Sequence, residues 1–231
     1  MGLPPRRAIV IGASGGIGAA LVRGLEARGR DVTGLSRTTR PPLDVSDQAS
    51  IAAAAESLRA AAPFDTILVA TGLLHDGALR PEKSLADLDA DQLARSFAVN
   101  AIGPALVARH FVPLLPRHGR AIFAALSARV GSISDNRLGG WYGYRASKAA
   151  LNQLIRTLAI ELARTRPGAI CVGLHPGTVD TRLSAPFQRG VAPDRLFTPE
   201  RSAGHLLDVL DRLAPDQSGR CFAWDGSEIA P

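Results

Sequence analysis

Lysine is almost missing from this chain: Lys83 and Lys148 are the only two, although lysine and arginine together number 27 in 231 residues. A lysine found inside a chemically suggestive pattern is therefore hard to dismiss as surface filler. Cysteine is equally scarce, with Cys171 and Cys221 alone, each in an apolar strand-like stretch. Two such residues read as small buried hydrophobes in a reducing compartment, which excludes a disulfide framework and a metal site. Aromatic residues make up only 5% and the arginines are scattered, so the formal charge of +6 does not amount to a nucleic-acid-binding face. No apolar run approaches the roughly 20 residues that span a bilayer. The segment 1–7 lacks the long apolar stretch and small-residue cleavage site of a signal peptide. Arg6-Arg7 reads as the leading edge of a strand rather than an export signal, and Arg6 stands where myristoylation prefers Ser or Thr. These absences predict a cytoplasmic protein with no membrane and no nucleic-acid partner.

What is present is alternation. With 46% hydrophobic residues the chain can bury a full core. Arg7–Ile11 is a short apolar run ending in Gly12, as expected for a strand buried on both faces. Helical periodicity over 16–28 stops near Gly29, and 31–35 is a second strand. The pattern continues with a helix over 47–62, a strand over 66–70, and helix signals over 87–115 in two pieces or bent near Gly103-Pro104. A strand over 120–126, a helix over 141–164, a strand over 169–174, a loop over 178–197, a helix over 199–213 and a short strand over 221–224 complete it. Strands alternating with long helices imply parallel strands joined by right-handed crossovers. The fold class predicted is α/β, a doubly wound Rossmann-type sheet in three α/β/α layers. No repeat, low-complexity tract or linker divides it, so 1–231 is read as one domain, with a cofactor half to about 120 and a catalytic and substrate-loop half from about 121.

Two local patterns carry chemistry. Gly12-Ala13-Ser14-Gly15-Gly16-Ile17-Gly18 sits where the first strand feeds the first helix. Glycine permits the tight turn, lets the backbone approach a pyrophosphate and allows helix and strand to pack closely, while the helix N-terminus offers free N–H groups to phosphate. Tyr144 and Lys148 stand four residues apart at the opening of a helix, on one face and one turn apart. A cation held there favours the phenolate, bringing the tyrosine's pKa down from its ordinary value near ~10, so that it can exchange a proton with a carbonyl or alcohol oxygen.

The glycine turn in the spacing Gly-x-x-x-Gly-x-Gly, followed by Tyr-x-x-x-Lys, resembles the short-chain dehydrogenase/reductase family over nearly the whole chain. Asp44-Val45 resembles the family's adenine-holding acidic pair, and Ala70-Thr71-Gly72 a reduced form of its Asn-Asn-Ala-Gly motif. Asn100 matches the family's helix asparagine, and Pro176-Gly177-Thr178-Val179-Asp180-Thr181 its nicotinamide-contacting segment. The stretches 131–136 and 224–229 look like the subgroup of C-factor-type and sniffer-type carbonyl reductases. The resemblance implies hydride transfer between nicotinamide and a small or medium carbonyl or alcohol substrate. It makes Tyr144 the acid/base and Lys148 the group that tunes it and holds the nicotinamide ribose, with Asn100 supporting a water path. The remaining cofactor contacts it implies are Gly12, Ser14, Gly15, Gly16, Ile17, Gly18, Asp44, Val45, Ala70, Thr71, Gly72, Pro176, Gly177, Val179 and Thr181. Family members often form dimers or tetramers through the two long helices flanking the catalytic region, so a homodimer or homotetramer is expected.

The second strand ends Leu35-Ser36-Arg37 without the acid that would bond the ribose of NAD(H). Ser36 can donate a hydrogen bond and Arg37 can pair with a phosphate, so NADP(H) is preferred, with NAD(H) possible. The chain departs from the family at its catalytic serine, where Ala128 stands. Ser127 is one residue early, which in an extended segment turns its side chain to the other face. Ser132, 12 residues before Tyr144, is favoured as the replacement over Ser127, Ser134 or no serine at all. A cofactor-binding sensor with little turnover is the competing expectation.

Overall fold

The computed structural model of the chain describes residues 6–77 and 79–231. The reading of the amino-terminal segment falls mostly on residues 1–5, outside the described residues. The strands are β1 Arg7–Ile11, β2 Asp31–Leu35, β3 Thr66–Val69, β4 Ala121–Leu126, β5 Ala169–His175, β6 Thr178–Val179, β7 Leu196–Phe197, β8 Cys221–Ala223 and β9 Glu228–Ile229. The α-helices are α1 Gly16–Glu26, α2 Gln48–Ser57, α3 Ala90–Phe97, α4 Gly103–Phe111, α5 Tyr142–Thr165 and α6 Pro199–Arg212. Seven strands form the main sheet in the order β2-β1-β3-β4-β5-β8-β9, parallel except for the last pair, and β6 and β7 form a separate two-stranded ribbon. This is the doubly wound sheet expected from the alternation.

Alternation of side chains along each strand distributes the core to both faces. Ile9, Ile11, Ile67 and Phe123 pack against Ile51 of α2, Val107 and Phe111 of α4, and Leu151 and Ile155 of α5. Their neighbours Val10, Leu68, Ile122 and Ile170 pack on the opposite face against Leu21 and Leu25 of α1 and Leu206 and Leu210 of α6. Burying one such large side chain stabilises the fold by roughly 1.5–3 kcal/mol. Both faces being covered is why these strands read as unbroken apolar runs.

The chain leaves β1 outward to β2 and then returns to β3 on the other side. The loops after β1 and β3 therefore part, opening a crevice at the carboxyl ends of the strands. Helix starts around it follow local chemistry. Asp47 accepts from Ala49 N at 2.9 Å, Asp89 from Gln92 N at 2.9 Å and Thr198 from Arg201 N at 3.1 Å, each capping its helix. Gly15 precedes α1 with no side-chain cap and no acid in the first turn, leaving that terminus open.

Three expectations need correction. The helix expected in two pieces or bent near Gly103-Pro104 is α3 and α4, joined by a turn of π-helix over Ala98–Ile102 rather than by a break, so the helical path runs unbroken between them. That stretch, Ala90–Leu114, is long and apolar enough to cross a bilayer by length and composition, contrary to the expectation from apolar runs; half of its most apolar window is buried inside the fold. The loop over 178–197 is anchored at its base by the β6–β7 pairing rather than being free throughout.

Candidate active site

The glycine turn is built so that no side chain could stand at Gly12 or Gly18. Gly12 has φ of +90°, and a Cβ there would lie 2.9 Å from the Ala70 carbonyl group. A Cβ on Gly18 would stand 2.0 Å from the Gly12 oxygen. Gly12 N and Ala13 N both donate to Leu35 O, at 2.8 and 3.1 Å, and Gly15 N donates to Gly12 O at 3.0 Å. Ser14, Gly15 and Gly16 are exposed and Ile17 half-buried at the open end of α1. Gly16 also meets the far loop, since a Cβ there would be 2.9 Å from the Thr181 methyl.

At the outer end of the crevice, Ser36 is buried and organises the following turn. Thr38 N donates to its hydroxyl at 3.2 Å, and Ser36 N donates to Thr39 Oγ1 at 2.8 Å. Arg37 is exposed, with no carboxylate within salt-bridge distance among the described residues. Asp44 Oδ1 accepts from Ser46 N at 2.9 Å and Ser46 Oγ at 2.6 Å. Those bonds, helped by the Arg37 charge, hold its carboxyl below the usual range. Val45 is buried against the start of α4, where a Cβ on Gly103 would be 2.6 Å from Val45 O.

The inner end holds the titratable pair. Asn100 is fully buried in the π-turn; its Nδ2 donates to Leu73 O and its Oδ1 accepts from Leu73 N, both at 2.8 Å. Nδ2 also donates to Ser147 Oγ at 3.1 Å, and Ser147 Oγ donates to Tyr144 O at 3.0 Å. Gly72, next to this clamp, would carry a Cβ 3.8 Å from Asn100 Oδ1 and 3.9 Å from Lys148 Nζ. Ala70 N continues the β1 ladder by donating to Ile11 O at 2.7 Å, and Thr71 Oγ1 is buried with no partner. Lys148, 2% exposed, donates to Leu126 O at 2.7 Å and lies 5.8 Å from the Tyr144 ring centroid. A Cβ on Gly131 would be 2.8 Å from Lys148 Cβ, so glycine lets the turn after β4 press on α5 at the lysine.

Electrostatics here run opposite to the expectation that Lys148 lowers the tyrosine's pKa. Burial pushes the Tyr144 phenol up to about 12. Burial likewise brings the Lys148 ammonium down to about 8, with Cys221 opposing the change. Desolvation is the cause of the rise, and the phenol is held protonated at neutral pH. The shifted lysine has a stability consequence. Its folded value lies below the ordinary 10.5, so the penalty for burying charge is full below pH 8 and fades toward 10.5. Stability contributed through this group therefore rises with pH across that window. Lys148→Met, which removes the buried charge, is expected to unfold at higher denaturant, by about 2 kcal/mol at neutral pH. The difference should shrink above pH 8; equal stabilities at neutral pH would show that the charge is not penalised.

Ser132 needs correction too. Its hydroxyl accepts from Asp135 N at 3.1 Å and lies 3.4 Å from Pro231 O, so it closes a turn with the chain's far end and makes no hydrogen bond to Tyr144 or Lys148. Ser134 donates to the same Pro231 oxygen at 2.6 Å, and Ser127 donates to Asn152 Oδ1 at 2.6 Å. All three serines are engaged elsewhere. Ala128, extended at φ −153° and ψ 147°, directly follows Ser127 past the end of β4.

On the remaining side, Ser202 Oγ of α6 donates to Pro176 O at 2.8 Å. Gly177 has φ of +78°, and a Cβ there would strike the Phe197 ring at 2.7 Å. Val179 is buried in β6, and Thr181 N donates to Ser184 Oγ at 3.3 Å beside the glycine turn. Sequence reasoning passed over Ser147 and Glu82. Ser147 stands three residues after Tyr144, a helical spacing that signals contact. Glu82 accepts from Gly143 N at 3.1 Å and so caps α5 from 61 residues away, for which no local signal exists.

A doubly wound sheet with this glycine turn, and a tyrosine and lysine one turn apart beside a buried asparagine, defines a class of dinucleotide-dependent oxidoreductase. The family model described as "Enoyl-(Acyl carrier protein) reductase" matches residues 12–195. The chain belongs to the short-chain dehydrogenase/reductase family and is an NAD(P)-dependent oxidoreductase of that family. It is 39% identical over 147 residues to the C-signal protein of Myxococcus xanthus, covering 63% of this chain and 82% of that one. It is 31% identical over 231 aligned residues to 1-hydroxy-2-glutathionyl-2-methyl-3-butene dehydrogenase of Rhodococcus sp. (strain AD45), covering 95% and 96% of the two chains. Its fold superposes with TM-score 0.85 and 27% identity on an NADPH-bound carbonyl reductase from chicken fatty liver, covering 99% and 100%.

Proposed function

We propose that the chain binds NADP(H) and reduces a small or medium carbonyl compound, or oxidises the matching alcohol, with Tyr144 exchanging the proton. The observation that carries this is the Tyr144 hydroxyl. Its residue is half-buried and the hydroxyl makes no hydrogen bond among the described residues, so its proton has no protein acceptor and a ligand oxygen can take that place. The residues present fit the cofactor. Gly12 and Gly18 close the turn so tightly that a Cβ on either would strike backbone, Thr71 Oγ1 is a buried polar atom awaiting a partner, and Arg37 is an exposed guanidinium after β2 with no salt bridge. Gly12–Gly18 would hold the pyrophosphate, Ser36 and Arg37 the ribose phosphate, Asp44-Val45 the adenine, and Ala70–Gly72 with the Pro176–Thr181 segment the nicotinamide end. When bound, the cofactor supplies hydride to the carbonyl carbon. Tyr144, protonated at neutral pH, donates to the developing alkoxide oxygen. Lys148 keeps a cation beside the phenol, and Asn100 and Ser147 fix the first turns of α5 and the loop after β3. Titration with NADPH and oxidation of NADPH against a carbonyl panel test this reading; cofactor binding with no turnover on any compound would favour the sensor reading, to which Ala128 also points.

NADPH is chosen over NADH through Arg37. A hydrogen bond to a charged group is worth about 1.5–3 kcal/mol, so Arg37→Asp is expected to shift the NADPH/NADH preference by about tenfold or more. An unchanged ratio would remove Arg37 from the cofactor site. The buried, unpaired cysteines support a cytoplasmic setting. A homodimer or homotetramer is supported by the groove of about 450 Å³ between α4 and α5, with Leu151, Leu154 and Ile155 in its walls. Light scattering tests this, and a monomer mass would reject it.

A further inference from the structure

Aromatic rings are few in this chain, yet every ring pair among the described residues falls into one of two groups flanking the site. One group, Phe197, His205 and Trp224, packs behind Gly177. The other stands beside Tyr144. Trp141 lies edge-on to the Tyr144 ring at 6.3 Å and to Phe187 at 5.0 Å, and Phe187 meets His75 at 5.6 Å. These residues come from the loops after β3, β4 and β5, which the parallel sheet brings together at its carboxyl end. His75 Nε2 bonds Arg182 O at 3.1 Å, tying the substrate loop to this wall.

Trp141 is held there at a cost. It is the one non-glycine residue with positive φ, +53°, among the described residues, in a conformation that suits glycine or asparagine. Its N–H donates to Glu82 O at 2.5 Å, which pins the backbone while the indole leans on Tyr144. A bulky residue kept in a strained conformation at a site points to a use for its ring. The three rings themselves carry no carboxylate or guanidinium, and the acids nearest them are engaged: Asp76, beside His75, pairs with Arg95 at 3.1 Å, and the Glu82 carboxylate accepts from Gly143 N at 3.1 Å.

We infer that Trp141, Phe187 and His75 form the specificity wall of the site and select an uncharged carbonyl compound carrying a flat aromatic group. This rests on the reductase reading for the carbonyl, while the wall itself does not depend on turnover. Ring faces and edges attract through their quadrupoles beyond what area burial gives, whereas a saturated ring gains from area burial alone. The saturated ring is the more hydrophobic of two matched compounds, so a merely greasy pocket would prefer it.

The experiment titrates the protein calorimetrically with benzyl alcohol and with cyclohexylmethanol, with and without NADPH, so that no reaction occurs. Benzyl alcohol is expected to bind roughly 2- to 10-fold more tightly. The preference should collapse in Phe187→Leu, a change at a half-buried loop residue, and in Trp141→Asn, which suits the backbone conformation and removes the ring. Equal binding, tighter binding of cyclohexylmethanol, or a preference that survives both variants would overturn the inference. Reduction of benzaldehyde and cyclohexanecarbaldehyde is followed in parallel. Failure to turn over either aldehyde counts against the reductase reading, and the alcohol titration still decides the wall.

Discussion

Tyr144→Phe is expected to lose carbonyl reduction by about a thousandfold while still binding NADPH, because positioned acid catalysis contributes on the order of 10²–10⁴. The substitution removes one oxygen and keeps the ring. Its edge-on contact with Trp141 and the Ser147 bond to the Tyr144 carbonyl are both preserved. Since the hydroxyl has no protein partner, its loss leaves no orphaned group, and the melting temperature should stay close to that of the native chain. The measurement is kcat on a responsive substrate together with the NADPH dissociation constant. Turnover indifferent to the change would take Tyr144 out of the chemistry. Loss of cofactor binding in step with turnover would instead mark the residue as part of the cofactor cradle.

Ala128→Ser is expected to raise kcat by about a hundredfold, since a single donor aimed at a developing oxyanion is worth on the order of 10²–10³. Position 128 is the second residue past the end of β4, whose Leu126 carbonyl is already bonded to Lys148. Ser127 turns to Asn152, and in extended backbone the next side chain faces the other way. With Ser127, Ser132 and Ser134 all engaged elsewhere, the proposed reading leaves Tyr144 as the one donor to the substrate oxygen. Restoring a hydroxyl at 128 supplies a second donor. Rates within twofold of the native chain would show that oxygen polarisation is not what limits it.

Legibility from sequence followed the range of each interaction. The strands could be read because both sheet faces are covered, so Ala8 to Ile11 is one apolar run. The glycine turn and the Tyr144–Lys148 spacing are local, and their geometry follows from the handedness of one turn of helix. The partner of Ser132 is not legible in sequence, because its hydroxyl meets a residue 99 positions later, where spacing carries no information. The sign of the Tyr144 shift was missed for a similar reason. A lysine four residues away is visible in sequence, but the depth at which the loops bury the phenol is not. The π-turn at Asn100 was hidden because it does not alter the residue pattern at its own position.

The two ring groups have an experimental consequence of a different kind. The chain has only two tryptophans, and Trp141 stands in the group beside Tyr144 while Trp224 stands in the group behind Gly177. Intrinsic fluorescence is therefore confined to the two walls of the crevice. Replacing either tryptophan in turn yields a single emitter that reports from one wall, so motion of the substrate loop can be timed without attaching a dye.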